Sequence, residues 1–376
     1  MYEMRGITID NGGSELRAKS TETGAAIIKL TNDLIKIEER SFRVKEVAEA
    51  DAVVRIIAAP NEDVKGLYAN GLTGKAYDGA EIRLNSQQPK TSSINYYRQI
   101  LYTIARSAMA DYKRKFKWLD VKRINNSKID YVLVSCIPIR EFNGVTDCPA
   151  KFKEQLAGEY KVEFPLIEGI PTISFKLTKE NMGVVPEGGV AITSLRKELT
   201  KDTISLVIDM GHITTDIALF QGPTLLGKVI SSPYAGSTLI ANVRMTLADM
   251  GFSLTEEQTV RVIETGKVMR GATEVDVTET VNEQNVLFVR NFILKEIVQT
   301  LNMNAINASQ VQNVIPIGAP MNVVTGMSRI QEEIIKVCGL QDAEIKLLAD
   351  DLRYVNIEQA GMFTNRLFNK AVGKSC

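Results

Sequence analysis

Twice in this chain an apolar run ends in aspartate, one spacer residue and glycine. Ile9-Asp10-Asn11-Gly12 closes the first run and Ile208-Asp209-Met210-Gly211 the second, one in each half of the 376 residues. A strand that stops at Asp-x-Gly turns sharply, and glycine lets a ligand approach the backbone closely. Two such turns far apart imply two related halves with a cleft between them. The length agrees, since 376 residues exceed one ordinary compact domain and suffice for two cores. Lys plus Arg and Asp plus Glu number 45 each, so the formal charge is zero and gives no sign of a nucleic-acid or polyanion binder. No segment reaches the roughly 18 apolar residues of a membrane span. The opening MYEMRGITID lacks the basic flank and apolar run of a secretory leader. The cysteines at 136, 148, 338 and 376 show no metal-ligand spacing, which fits reduced thiols in the cytoplasm. His212 is the only histidine, so a multi-histidine metal site is excluded.

Strand and helix signals alternate, which predicts an α/β chain. Arg5 to Ile9 and Tyr131 to Cys136 read as strands. Between them Ile94, Tyr97, Leu101, Ile104, Ala108 and Tyr112 recur at helical spacing after Thr91, Ser92 and Ser93. Asn61 to Lys90, rich in Gly, Asn, Asp and Gln, reads as the irregular, exposed part of an insertion spanning about residues 35–90. Pro186-Glu187-Gly188-Gly189 leads into a helical Ser194 to Thr200, then Thr203 to Ile208 forms an apolar strand. The expected boundary is therefore near 200: domain I spans 1–200 and is completed by a C-terminal helix of about 354–376, and domain II spans 201–353. In the second half, helices are marked by Leu239, Val243 and Leu247, by Phe288, Phe292, Ile293, Ile297 and Leu301, and by Ile330, Ile334 and Val337. Val314 to Ile317 is a strand.

Gly-rich turns after strands present backbone N–H groups that cradle phosphate oxygens. Gly12, Gly13 and Ser14 are placed to wrap a terminal phosphate, and Arg17 follows with positive charge. An acidic residue beside a phosphate repels it unless a cation intervenes. Asp10 and Asp209 therefore read as holders of Mg²⁺ through its waters, since Mg²⁺ dehydrates reluctantly. Val314-Ile315-Pro316-Ile317-Gly318-Ala319-Pro320-Met321 carries a strand into a loop whose backbone can press on a nucleobase or ribose.

These segments together resemble the actin-like ATPases, and among them the bacterial plasmid-segregation actins of the ParM type. Asp10 to Arg17 is similar to the first phosphate loop, and Asp209 to Asp216 to the second. Ile317-Gly318-Ala319-Pro320 stands at the adenosine loop. Cys136 to Phe142 and Tyr354 to Met362 resemble the two connecting segments, and all five occur in family order. The resemblance implies an actin-like fold: two related domains, each a mixed sheet flanked by helices, around a nucleotide cleft. It implies ATP or GTP with Mg²⁺ as cofactors and hydrolysis coupled to polymerisation. It assigns catalysis to Glu141, Asp209 and Asp10, with Glu141 orienting the attacking water; the alternative is a surface glutamate at a strand end. Nucleotide contacts fall on Asn11, Gly12, Gly13, Ser14, Arg17, Gly211, His212, Ile213, Thr214, Gly236, Gly318, Ala319 and Pro320. Glu264 and Lys267 either touch the nucleotide or form a solvated helix end. His212 stands where a small residue is usual, so its side chain either approaches the γ-phosphate or faces solvent. Ala319 replaces a second glycine and leaves adenine or guanine open.

The same fold hosts kinases, chaperones and filament proteins. The chain is shorter than the chaperones and sugar kinases, which leaves a cytoplasmic filament former that segregates plasmids. A non-polymerising phosphotransferase or a cell-shape or division actin is the alternative. The implied partners are further copies of the chain and a small ParR-like DNA-binding adaptor at a plasmid centromere, with neither direct DNA contact nor a membrane. The insertion, with Tyr68, Leu72 and Tyr77, is either the expected subunit contact or a mobile surface loop. The C-terminal Phe363, Leu367, Phe368 and Val372 read as a packed helix.

Overall fold

The computed structural model describes every residue except 1, 13–14, 23–25, 44–46, 48, 83, 85–88, 116–119, 145–146, 322–329 and 374–376, together with the side chains of 41, 143–144 and 331. The chain forms two compact units, Met1–Glu187 with Ile357–Cys376, and Gly188–Asn356. The first division thus falls after Glu187, ahead of the position near 200 expected from the sequence. The helical turn expected over Ser194 to Thr200 lies earlier, at Gly189–Ser194, and belongs to the second unit.

The first unit is built on a ten-stranded sheet. Its strands are β1 (Glu3–Asn11), β2 (Glu15–Ser20), β3 (Ile27–Thr31), β4 (Ile35–Ile37), β5 (Val54–Ala58), β6 (Gly66–Ala69), β7 (Gly79–Glu81), β8 (Lys128–Ile137), β9 (Gly158–Glu163) and β10 (Thr172–Pro186), in the order β3-β2-β1-β8-β10-β9-β5-β6-β4-β7. β8 runs parallel to both β1 and β10. A strand covered on both faces is apolar without alternation, and Tyr131 to Ile137 is such a run, buried throughout. Helix Ile94–Lys115 packs on this sheet, with Ile100, Leu101 and Ile104 in one core with Ile7, Ile9 and Leu16. Each such fully buried side chain contributes roughly 1.5–3 kcal/mol relative to exposure. The C-terminal helix Val355–Ala371 packs on the same unit from Ile357 onward, and the hydroxyls of Thr8 and Thr364 lie 2.6 Å apart.

The insertion departs from its expected irregularity. Asn61 to Lys90 contains β6, β7 and a short helix, Gly71–Lys75. Ile37, Val53, Leu67, Ala69 and Tyr77 form a small core of their own. Tyr68 and Tyr77 are buried rather than exposed, whereas Leu72 is 77% exposed. Strands of three or four residues are too short to show a period-two pattern, so turn-forming residues dominated the sequence signal.

The second unit has a five-stranded sheet of β11 (Ile204–Met210), β12 (Thr215–Gln221), β13 (Thr224–Ser232), β16 (Val311–Ile317) and β17 (Glu344–Ile345), ordered β13-β12-β11-β16-β17. A separate hairpin joins β14 (Lys267–Arg270) to β15 (Thr273–Asp276). The opening strands repeat the first unit's topology. β11, β12 and β13 form an antiparallel meander as β1, β2 and β3 do, and β16 lies parallel to β11 as β8 does to β1. The helical run from Phe288 to Leu301 contains one π turn, Val289–Ile293. Among the described residues no helix is long and apolar enough to cross a membrane. Cys136, Cys148 and Cys338 are buried free thiols; Cys376 lies outside the described residues.

Candidate functional site

In the first unit β1 turns into β2 at Asn11-Gly12. The Gly12 N–H donates to the Glu15 carbonyl over 3.0 Å, closing the hairpin. This places Asp10 directly opposite Arg17, and the Arg17 Nη1 lies 3.1 Å from the Asp10 carboxylate. The Arg17 Nε also donates to Glu15 over 2.7 Å. Gly13 and Ser14 lie outside the described residues.

A ring of amides supports the turn from behind. Asn11 Nδ2 donates to Gln99 Oε1 (2.9 Å), Gln99 Nε2 to Asn32 Oδ1 (2.6 Å), and Asn32 Nδ2 back to the Gly12 carbonyl (2.7 Å). Asn11 is fully buried, yet its Oδ1 has no hydrogen-bond partner among the described residues. A buried acceptor left open costs about 1–3 kcal/mol, which suits a site completed by something other than the chain.

Glu141 is no surface residue. It is 2% exposed, in helix Ile139–Gly144 after β8. Its Oε1 accepts the Lys90 N–H (2.7 Å), and its Oε2 accepts the Thr91 N–H (3.1 Å) and hydroxyl (3.2 Å). Lys90, which the sequence did not single out, stands at the centre of this unit's polar cluster. Its Nζ donates to the Asn11 carbonyl (2.9 Å) and to Glu187 Oε1 (3.1 Å). Burial opposes the Lys90 charge, but Glu187, Asp10 and Glu141 outweigh it and hold the ammonium above the usual lysine range. Lys90, Gln99 and Asn32 carry no motif. Their roles come from where the helix leading from Pro89 and the β3–β4 connection fall against β1.

The second unit repeats the hairpin with different charges. The Gly211 N–H donates to the Thr214 carbonyl (2.9 Å), and Asp209 stands opposite Asp216. Paired residues on antiparallel strands share a face, so two carboxylates lie side by side where the first unit sets a carboxylate against a guanidinium. Like charges so placed repel and favour a cation between or beside them. Among the described residues no three His, Cys, Asp or Glu side chains cluster to enclose a metal directly. The paired carboxylates of Asp209 and Asp216 are the residues here that could hold a hydrated divalent cation. Within the turn, no described residue accepts from the N–H of His212 or Ile213, so both donors remain available to an anion. The His212 Nε2 is 3.4 Å from Glu256 Oε1.

Gly236 brings the second turn and the loop after β16 together. Its N–H donates to the Gly211 carbonyl (3.0 Å), and a Cβ there would stand 3.1 Å from both that oxygen and Pro320 Cγ. Ser237 N–H donates to the His212 carbonyl (2.8 Å). Gly318 has φ +102°, and a Cβ would fall 2.0 Å from the Met210 carbonyl oxygen, so no other residue fits without moving backbone. Ala319 and Pro320 follow in a 3₁₀ turn ending at Met321. Glu264 lies in the last turn of helix Glu256–Thr265, with Arg353 Nη1 3.9 Å away, while the exposed Lys267 pairs with Glu274 across its hairpin (2.6 Å). The structure thus gathers Gly211, His212, Gly236 and Pro320, and leaves Lys267 in solvent.

No protein-family model matches the chain, and no curated protein matches it. Solved structures do. The archaeal actin homologue Ta0583 aligns over 96% of this chain and 99% of its own, with TM-score 0.69 and 17% identity. It is also known in complex with ADP, at TM-score 0.64 and 16% identity over the same shares. The actin-like protein Alp7A aligns over 99% of this chain and all of its own, with TM-score 0.69 and 14% identity. A 15-stranded ParM filament from Clostridium botulinum contributes a subunit that aligns over 97% of this chain and 100% of its own, with TM-score 0.61 and 16% identity. The chain has the actin-like fold.

Proposed function

From an actin-like fold with a repeated Asp-x-Gly hairpin, we propose that this chain is a nucleotide-hydrolysing filament protein of the cytoplasm that segregates plasmid DNA. The observation that carries the reading is the second hairpin: two facing carboxylates, Asp209 and Asp216, beside two uncommitted turn N–H groups, His212 and Ile213. The N–H groups suit phosphate oxygens, and the carboxylates suit the cation that accompanies them. The ligand of this reading is a magnesium–nucleotide, ATP or GTP. Asp209 holds Mg²⁺ through water, and Arg17 and Lys90 bring positive charge to the first turn. Bound Mg²⁺ neutralises charge that develops on the transferred phosphoryl group. Glu141 keeps a lone pair on Oε1, which accepts one protein hydrogen bond, and with it orients the attacking water.

The ADP complex of the archaeal homologue supports nucleotide binding, and the 15-stranded ParM filament supports polymerisation. Head-to-tail contact between identical subunits does not close and so yields an open polymer. Leu72 is its exposed apolar contact from the insertion. Hydrolysis weakens the subunit contacts. A small ParR-like adaptor links the filament to centromeric DNA, consistent with a chain of zero formal charge that does not itself grip DNA.

Pelleting and electron microscopy with ATP, with GTP and without nucleotide test the reading. Nucleotide-dependent filaments are expected. Phosphorylation of a small acceptor without polymer would replace this reading with a phosphotransferase. Asp209→Ala is expected to abolish magnesium-dependent hydrolysis, and full activity would remove the metal assignment.

A further inference from the structure

The chain passes between its two units twice, at Glu187–Gly188 and at Asn356–Ile357. Asn356, at the second crossing, touches the first. Its Oδ1 accepts the Gly188 N–H over 2.9 Å. Its Nδ2 donates to Asp209 Oδ2, also over 2.9 Å. The amide orientation is dictated by chemistry: a backbone N–H needs an acceptor and a carboxylate needs a donor, so only this orientation satisfies both. Asn356 is buried, so neither bond is readily exchanged for water.

We propose that Asn356 is a positioning residue that couples the metal-binding carboxylate of Asp209 to the chain crossing at Gly188. The inference rests on the reading of Asp209 given above. Asn356 holds Oδ2 of Asp209 in one direction. Ordering of Asp209 by magnesium–nucleotide orders the amide, and the amide orders the Gly188 peptide. Coupling of this kind is reciprocal, so restraint at the crossing also favours the metal. Outer hydrogen-bond partners of metal-binding groups typically govern metal affinity by 10–100-fold.

Amide hydrogen exchange of the peptide containing Gly188, with and without magnesium–ADP, separates the two halves of the bridge. In wild-type protein the Gly188 amide is expected to exchange slowly, and at least about threefold more slowly with magnesium–ADP. Asn356→Ala removes both bonds, so Gly188 exchanges fast in either condition. The magnesium needed for half-maximal turnover rises about tenfold, while nucleotide affinity in EDTA stays within about twofold. Asn356→Asp keeps the acceptor for Gly188 and turns a carboxylate toward Asp209. Its Gly188 amide stays slow but no longer responds to magnesium–ADP. A wild-type protein that binds magnesium–ADP with unchanged Gly188 exchange overturns the proposal, as does Asn356→Ala exchanging like wild type. A wild-type protein that binds no nucleotide refutes the reading of Asp209 itself and takes the coupling with it.

Discussion

Replacing Glu141 by glutamine separates its structural work from its proposed chemistry. The carboxylate accepts two bonds at Oε2, from Thr91, and one at Oε1, from Lys90. In Glu141→Gln the amide oxygen takes the position with two donors, and Nε2 turns toward the Lys90 N–H. One hydrogen bond to a charged group is lost and a buried N–H is stranded, costing about 2 kcal/mol. For a unit of about 200 residues that lowers the midpoint of thermal unfolding by roughly 4–8 °C. Glu141→Ala strands the N–H groups of both Lys90 and Thr91 and costs about twice as much. If Oε1 also orients the attacking water, turnover of Glu141→Gln falls by at least about a hundredfold while nucleotide affinity holds, because general-base assistance is worth that much. Filaments of either variant then outlast those of wild type. Scanning calorimetry and phosphate-release assays below the midpoint give the two numbers separately. A midpoint within about a degree of wild type would refute the hydrogen-bond account. Unchanged turnover in a destabilised variant would leave Glu141 as an anchor and nothing more.

Asp216→Asn relieves the like-charge pair with Asp209. It should stabilise the metal-free protein by up to about 1 kcal/mol, measured by denaturation in EDTA, and raise the magnesium requirement about tenfold. Burial pushes the Asp111 carboxyl up to about 6, with the Ser20 hydroxyl and Arg5 only partly countering it. Below about pH 4 the group is neutral in both folded and unfolded chains; above that its folded form resists ionisation, so its contribution to stability falls as pH rises through about 6. Asp111→Asn should therefore gain up to about 3 kcal/mol at pH 8 and nothing at pH 4, and equal gains at both pH values would contradict the assigned cause. Leu72→Asp places a charge on the exposed insertion helix without touching a core. Pelleting should drop severalfold while nucleotide binding is kept, and unchanged pelleting would remove Leu72 from the subunit contact.

Much of the candidate site was legible in linear order because it is local. An apolar strand, an aspartate and a glycine are neighbours, and a hairpin bonded from Gly12 to Glu15 or from Gly211 to Thr214 needs nothing from elsewhere. The repeat of that unit foretold two related sheets, and helical spacing located Ile94–Lys115. Residues acting across long separations were silent. Lys90 reaches Asn11 and Glu187, Gln99 braces Asn11, and Asn356 bridges Gly188 and Asp209. Nothing in the spacing of these residues announces a partner dozens or hundreds of positions away.

Burial was decided by tertiary structure as well. Tyr68 and Tyr77 lie in a stretch whose glycines and polar residues suggest exposure, yet both are buried. Tyr68, in the four-residue β6, joins the main core, and Tyr77, between a short helix and β7, joins the small one, because elements this short have no period to read and are held only by their neighbours. Amino-acid order thus determined the turns, the strand and helix periods and the duplication, all of which depend on adjacent residues. Which charge faces which, Arg17 to Asp10 but Asp216 to Asp209, depends on strand register, and a register exists only once the sheet has formed.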